Sequence, residues 1–308
     1  MIRWIIIGTG NAGRCHIAAI ERTPAACVAG LVTADDPSRT DYPVFATLAA
    51  ALKVIEADAV VIATPTNTHL ALASEALYAK LPVLCEKPVG RNAQEAELLY
   101  KLSLQQNIPV GVVLNQRACV HTRWIHEQIH EGSMEPQAVT MTGGIPRFQG
   151  WMNDPEKSGG GLLRSVGIHF VDLLVWWLGL PVWLAATKAG RPIENNVSLL
   201  ATFKNGCQAC IHLTSINSSG RGPISICIEA DGSRLKLDGH EIVLFEGCAP
   251  PPECEIRDEA LTFGPGHLCV IQEASQMLLE RKEFPISLAM ALPSLYLLDQ
   301  IYEATGSC

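Results

Sequence analysis

The sequence predicts an α/β fold in two parts: an N-terminal doubly wound parallel sheet, then a C-terminal α+β domain with a large open antiparallel sheet. Three observations lead there. Ile2, Trp4, Ile5, Ile6 and Ile7 form a short, nearly continuous apolar run, the pattern of a strand buried on both faces. Apolar runs of strand length then alternate with helix-length segments as far as residue 117, most of them ending in a polar cluster. Beyond that, alternating segments punctuated by Asn205-Gly206, Asp231-Gly232 and Asp238-Gly239 read as antiparallel hairpins. This order gives one domain over 1–117 and a second over 118–308.

The first strand runs straight into Gly8-Thr9-Gly10-Asn11-Ala12-Gly13, and a helix over Asn11 to Arg22 follows. Gly-x-Gly-x-x-Gly between a strand and a helix is the dinucleotide fingerprint: the free N–H groups and dipole of the helix N-terminus hold a pyrophosphate. Gly8, Thr9, Gly10, Asn11, Ala12 and Gly13 are therefore candidate cofactor residues. A second strand covers Cys27 to Thr33, and an acid at its end would bond the adenosine ribose of NAD. Asp35 can do this, one place late, with Ala34 at the key position; no Arg lies next to the strand end, although Arg39 is near, so NAD is the expected cofactor and NADP stays open.

The segment Pro37 to Pro43 is too short for a crossover helix, which resumes over Ala46 to Val54. Ala57 to Ala63 is a third strand, ending in Thr64-Pro65-Thr66-Asn67-Thr68-His69. A helix over Leu70 to Ala79 and a strand over Pro82 to Cys85 lead to Glu86-Lys87-Pro88. A helix over Asn92 to Gln106 and a strand over Val110 to Leu114 lead to Asn115-Gln116-Arg117. Doubly wound sheets bind ligands at the carboxyl ends of their strands, which adds Thr64, Pro65, Asn67, His69, Glu86, Lys87 and Gln116 to the cofactor candidates. The second part opens with a helix over His121 to Glu131 and a strand near Ala138 to Thr142. A polar, Gly-rich segment, Gly143 to Gly161, precedes a helix over Leu162 to Leu178. Helices over His267 to Arg281 and Ser287 to Ala304 close the chain, the last interrupted by Pro293.

Apolar residues at 48% and charged residues at 18% of 308 describe a well-packed globular protein. A formal net charge of -8 gives no electrostatic reason for a nucleic-acid partner. Phe170 to Leu180 is the nearest approach to a membrane span; it falls short of the roughly 20 residues required and contains Asp172, so no membrane partner is expected. The chain enters its first strand at once, without a secretory signal, and a cytoplasmic location is expected. Eleven scattered cysteines, an odd number, favour reduced thiols. Cys207-Gln208-Ala209-Cys210 followed by His212 invites a metal reading, but positions three apart on a strand face opposite ways, so no metal site is expected.

Ser165, His169, Asp172 and Trp176 are spaced i, i+4, i+7 and i+11 and share one face of their helix. Lys87, at a strand's carboxyl end beside the nucleotide site, is placed to polarise an alcohol oxygen. From the residues alone, a satisfied core histidine and a solvated loop lysine are the competing readings.

Four motifs in order carry a resemblance that spans the chain. The fingerprint, Thr64-Pro65-x-Asn67-x-His69, Cys85-Glu86-Lys87-Pro88, and Gly159-Gly160-Gly161 running to Gly167-Ile168-His169-x-x-Asp172 together resemble the Gfo/Idh/MocA oxidoreductases. The resemblance implies a Rossmann domain, an α/β domain whose open sheet often forms the dimer interface, and NAD(P)-dependent redox chemistry at a sugar or cyclitol carbon. It also implies that Lys87 is the family's Glu-Lys-Pro lysine and His169 its acid/base histidine. The family commonly has Asp four residues before that histidine. Ser165 stands there instead and supplies no carboxylate, which leaves Asp172 as the orienting partner.

Ile145-Pro146-Arg147, Trp151, Lys157-Ser158-Gly159-Gly160 and Ser165-Val166-Gly167-Ile168-His169-Phe170 are similar to one subgroup, the dehydrogenases of UDP-N-acetylglucosaminuronate acting at the 3-hydroxyl. Arg147 and Lys157 suit a substrate carboxylate or phosphate; Trp151, Ser165 and Asp172 complete the substrate candidates. The same family contains a repressor that acts through protein contacts and glycosidases that use bound NAD, which are the alternatives in function. A hairpin-sheet face through Leu199, Ala201, Phe203 and Ile211 points to a homodimer or homotetramer.

Overall fold

The computed structural model describes residues 1–33, 41–216, 222, 224–247, 252 and 266–305. The chain divides into two compact units, Met1–Ala118 with Arg257–Leu292, and Cys119–Ile256 with Pro293–Cys308. The contiguous domain over 118–308 needs correction, because Arg257–Leu292 returns to the first unit.

In the first unit, β1 (Ile2–Ile7), α1 (Asn11–Glu21), β2 (Ala26–Val32), β3 (Val44–Phe45), α2 (Leu48–Ala51), β4 (Ala59–Ile62), α3 (His69–Tyr78), β5 (Val83–Cys85), α4 (Ala93–Gln106) and β6 (Val110–Val112) follow in order. The sheet order is β3-β2-β1-β4-β5-β6, with every pair parallel. Trp4, Ile5 and Ile6 are fully buried at its centre, as the unbroken apolar run requires. The order reverses between β1 and β4, the switch point where such sheets bind ligands. Local chemistry sets the helix ends: the Thr47 side chain caps α2, and Asn92 accepts the Glu95 N–H at 2.9 Å at the start of α4.

The second unit contains α5 (Val120–His130), β7 (Pro136–Pro146), α6 (Pro155–Ser158), α7 (Ile168–Leu178), β8 (Trp183–Ala189), β9 (Asn196–Thr202), β10 (Gln208–Ile216), β11 (Ile224–Ala230), β12 (Ser233–Asp238) and β13 (Glu241–Glu246). Its sheet runs β13-β12-β11-β7-β10-β9-β8. All pairs are antiparallel except β10 with β7, so the sheet is mixed. Strand β7 also runs four residues past its expected end, into the segment read as a polar loop. Helices α8 (Gly266–Leu279) and α9 (Leu288–Ala304) complete the chain. Helix α8 belongs to the first unit, where Trp4 Nε1 donates to Ser275 Oγ at 3.1 Å in the core.

The sheet's faces reverse one expectation. Leu199, Ala201, Phe203 and Ile211 are buried, on the side that packs inward. The outward row runs Ala185, Leu200, Cys210, Thr140, Cys227, each directly opposite the next on neighbouring strands. The helical run Pro155–Leu178 has the length and hydropathy of a membrane span, yet 67% of its apolar window is buried in the protein, as a core helix is. It carries Arg164, His169 and Asp172.

Candidate active site

The fingerprint folds as its glycines dictate. Gly8 has φ +98, and a Cβ there would lie 2.6 Å from the Ala63 carbonyl oxygen. Gly13 brings α1 onto the turn so closely that an added Cβ would lie 2.0 Å from Gly8 O. At Gly10, the N-cap of α1, an added Cβ meets nothing within 4 Å. Gly10 has no side chain to cap the helix, and the first turn of α1 carries no acid. The start of α1 therefore carries no side-chain cap and no acid of its own, the environment a pyrophosphate needs. Arg14 donates to Thr9 O at 3.3 Å and also bonds Asn11 Oδ1, adding a cation beside both candidates. Thr9 Oγ1 donates to Thr33 Oγ1 at 3.1 Å, linking the turn to the end of β2. Asp35, the ribose candidate, lies outside the described residues.

The turn after β4 begins at Ala63, whose N–H bonds Ile7 O at 2.8 Å. Thr64 and Thr68 share a hydroxyl hydrogen bond of 2.7 Å, and Pro65 precedes the 3-10 turn Thr66–Thr68 that contains Asn67. The ring of His69 is buried, with Nδ1 2.9 Å from Pro88 O and Nε2 2.9 Å from Thr64 O. Burial holds its pKa below the ordinary imidazole value despite these acceptors. Both nitrogens are taken by backbone, so His69 braces two turns of the candidate site.

Glu86 departs from expectation in the same way. Its Oε1 accepts from His16 Nε2 at 2.8 Å and faces His267 Nε2 at 3.4 Å, while Oε2 accepts the Lys87 N–H at 3.2 Å. Burial alone would raise this carboxyl's pKa; the hydrogen bonds from His16 and His267 outweigh it and hold the group well below the usual range. Glu86 is thus turned into the unit's interior. Lys87 is half-buried at the mouth of β5, and Gln116 is half-buried in the short turn after β6.

The second unit carries His169. A five-residue π-helical stretch, Leu163–Gly167, precedes α7, a local widening common at functional sites. Glu194 Oε1 accepts the N–H groups of Gly161 (2.8 Å) and Leu163 (3.1 Å), supplying the N-terminal cap that the Gly-rich entrance lacks. Tyr302 Oη donates to the same oxygen, and burial first of all pushes its pKa up. Arg164 pairs with Asp299 at 2.6 Å and lies 4.8 Å from the centre of the Tyr302 ring. Ser165, His169 and Trp176 are half-buried along this helix. Asp172 is 1% exposed and accepts from Ser294 Oγ at 2.8 Å, which makes it an internal brace and removes it from the substrate candidates. Arg147 and Lys157 are exposed, Trp151 is half-buried, and Lys157 pairs with Asp154 at 3.4 Å. Cys207 is buried just before β10 and Cys210 is half-buried within it.

An NAD-binding Rossmann model of the GFO_IDH_MocA oxidoreductase family matches residues 2–113, and that family's C-terminal domain matches residues 124–238. The chain belongs to the Gfo/Idh/MocA oxidoreductase family. An uncharacterized oxidoreductase of Schizosaccharomyces pombe is 26% identical over 277 residues, 81% of this chain and 75% of that one. The inositol 2-dehydrogenase of Rhizobium meliloti is 29% identical over 196 residues, 61% of this chain and 58% of the enzyme. The WlbA dehydrogenase of Bordetella pertussis, crystallised with NADH and UDP-GlcNAcA, superposes with a TM-score of 0.86 at 23% identity, covering 98% of this chain and 95% of that one. At that identity the likeness establishes the fold.

Membership makes the chain an NAD-dependent oxidoreductase, and the open cradle at Gly10 fits the group: Gly8 to Gly13 would hold the pyrophosphate. When bound, NAD supplies the hydride acceptor or donor. Lys87 lies half-buried in the first unit and His169 half-buried in the second. Sequence reasoning missed His16, His267, Glu194 and Tyr302. Only His16 left a signal, a polar residue on the otherwise apolar stripe of α1 formed by Gly13, Cys15, Ala19 and Ile20.

Proposed function

We propose that this protein transfers hydride between a CH–OH carbon of a sugar or cyclitol and the nicotinamide of NAD. Lys87 hydrogen-bonds the reacting hydroxyl and lowers its pKa, and His169 takes or returns its proton. The observation that carries the reading is a lysine held by its backbone at the mouth of β5, in the unit whose glycine turn leaves a helix N-terminus open for pyrophosphate. The names of relatives, inositol 2-dehydrogenase and a UDP-GlcNAcA-bound dehydrogenase, support a polyhydroxylated substrate. The exposed cation Arg147 favours an anionic nucleotide sugar or uronate among these.

Freshly purified protein, denatured and analysed for nucleotide, is expected to release NAD, part of it reduced. Supplied with NAD, it is expected to form NADH with at least one of myo-inositol, methyl glucoside and UDP-GlcNAcA. Release of nothing, with no binding of added NADH or NADPH, would overturn the reading and favour a regulatory role.

The reading includes a homodimer or homotetramer formed through the outer sheet face. The directly opposed row Ala185, Leu200, Cys210, Thr140, Cys227 is uncharged, and Leu200 and Trp183 are each more than half exposed. The row meets its first charge at Lys236, opposite Cys227 on β12, so the uncharged stretch spans β8, β9, β10, β7 and β11 and costs least when a second copy covers it. Leu200→Arg is expected to convert the oligomer to monomer in equilibrium sedimentation. A wild-type monomer at micromolar protein would remove the proposal.

A further inference from the structure

Three polar side chains converge inside the first unit where an apolar core would be the default. His16 is 0% exposed, and Glu86 and His267 are each 6% exposed. Burying an ionised carboxylate is costly unless every lone pair is satisfied, so the cluster requires a use. Its members come from separate places in the chain. His16 lies on α1, three residues beyond Gly13; Glu86 follows β5; His267 opens α8, on the segment that returns to this unit from far downstream.

The proton positions follow from the partners. Asn115 Nδ2 donates to His267 Nδ1 at 3.1 Å, which leaves Nε2 to carry the proton that faces Glu86. His16 Nε2 donates to Glu86 at 2.8 Å, and burial foremost holds this imidazole below its ordinary pKa. Its Nδ1 finds no partner among the described residues, a cost far smaller for a lone pair than for a buried N–H. The three ligand-type atoms lie within 4.8 Å of one another, but a 2.8 Å nitrogen–oxygen separation is that of a hydrogen bond with the proton between.

We infer that His16 and His267 are positioning residues: together they fix the Glu86 carboxylate, whose other oxygen fixes the backbone of Lys87. The clamp ties the helix that receives the pyrophosphate to the turn that presents the lysine, so both are set by one buried carboxylate. This inference rests on the proposed role of Lys87, but its test does not require turnover.

The experiment is NMR of lysine-labelled holoprotein, with the Lys87 side-chain resonance identified as the one missing from Lys87→Arg. His267→Leu removes a donor and changes no charge; His267→Gln restores an N–H at similar reach. The Lys87 resonance and its titration midpoint are expected to move in His267→Leu and to return in His267→Gln, with the other lysine resonances in place. A purely structural role lowers the melting temperature in His267→Leu and leaves the Lys87 resonance where it was, which would overturn the inference. Where His267→Leu does not fold, histidine nitrogen shifts of the wild-type protein at pH 7.5 decide. Neutral Nε2–H tautomers at both His16 and His267 are expected; an imidazolium at either, or a stoichiometric transition metal in the purified protein, overturns the clamp. Full turnover in Lys87→Ala would instead sink the catalytic reading and leave these NMR results standing.

Discussion

Replacing Lys87 with alanine is expected to lower turnover by about two orders of magnitude or more while NADH still binds. The separation follows from where the parts sit. The proposed nucleotide cradle is formed by the end of β1 and the start of α1, through Gly8, Gly10 and Gly13, whereas Lys87 follows β5. Lys87 stands at the end of β5 with its N–H held by Glu86, so the variant loses an ammonium group and keeps the turn. Lys87→Arg is expected to recover little, because a guanidinium presents its donors as a planar fork on a longer stem, not as a point ammonium. Steady-state rates on the substrate identified by the panel, with NADH affinity from fluorescence titration, check both halves. Turnover at the wild-type level in Lys87→Ala removes the residue from the chemistry.

The first unit was legible because its signals are local. A strand of consecutive isoleucines, a glycine turn and a helix start are adjacent in sequence, and each constrains the next. Asn92 likewise announced the start of α4 to within one residue. What sequence reading lost was non-local or depended on a register. Nothing near His267 says that α8 rejoins a unit the chain left at residue 118, so the clamp around Glu86 was out of reach. On β9, the reading through Leu199 and Ala201 took the inward face for the outward one. A strand alternates with a period of two, so a single-residue choice exchanges Leu199 for Leu200 and the core for the exposed face. His69, Glu86 and Asp172 were recognised as polar residues at the right places. Their side chains turn inward to hydrogen-bond partners on other segments, and spacing along the chain carries no information about such partners.

The two glycines flanking the start of α1 are expected to fail in different ways when each becomes alanine. At Gly13 the new Cβ would sit 2.0 Å from Gly8 O, a backbone atom that cannot swing aside, so α1 must move off the turn. Overpacking of this kind costs about 1–3 kcal/mol, and at about 2–4 °C per kcal/mol the apo protein is expected to melt measurably earlier. NADH affinity falls with it, since the helix N-terminus no longer meets the turn. At Gly10, φ is -65 and the surrounding space is open, so alanine is accommodated without strain and apo stability stays at the wild-type level. The methyl group nevertheless occupies the approach to the α1 N-terminus, and NADH binding is expected to weaken by about tenfold or more, about 1.4 kcal/mol at the lower end. Thermal melts with and without NADH separate the two variants. Gly13→Ala lowers the apo melting temperature, whereas Gly10→Ala lowers only the shift that NADH produces. Undiminished stabilisation of Gly10→Ala by NADH would place the pyrophosphate away from this helix and dissolve the link between the fingerprint and the cofactor.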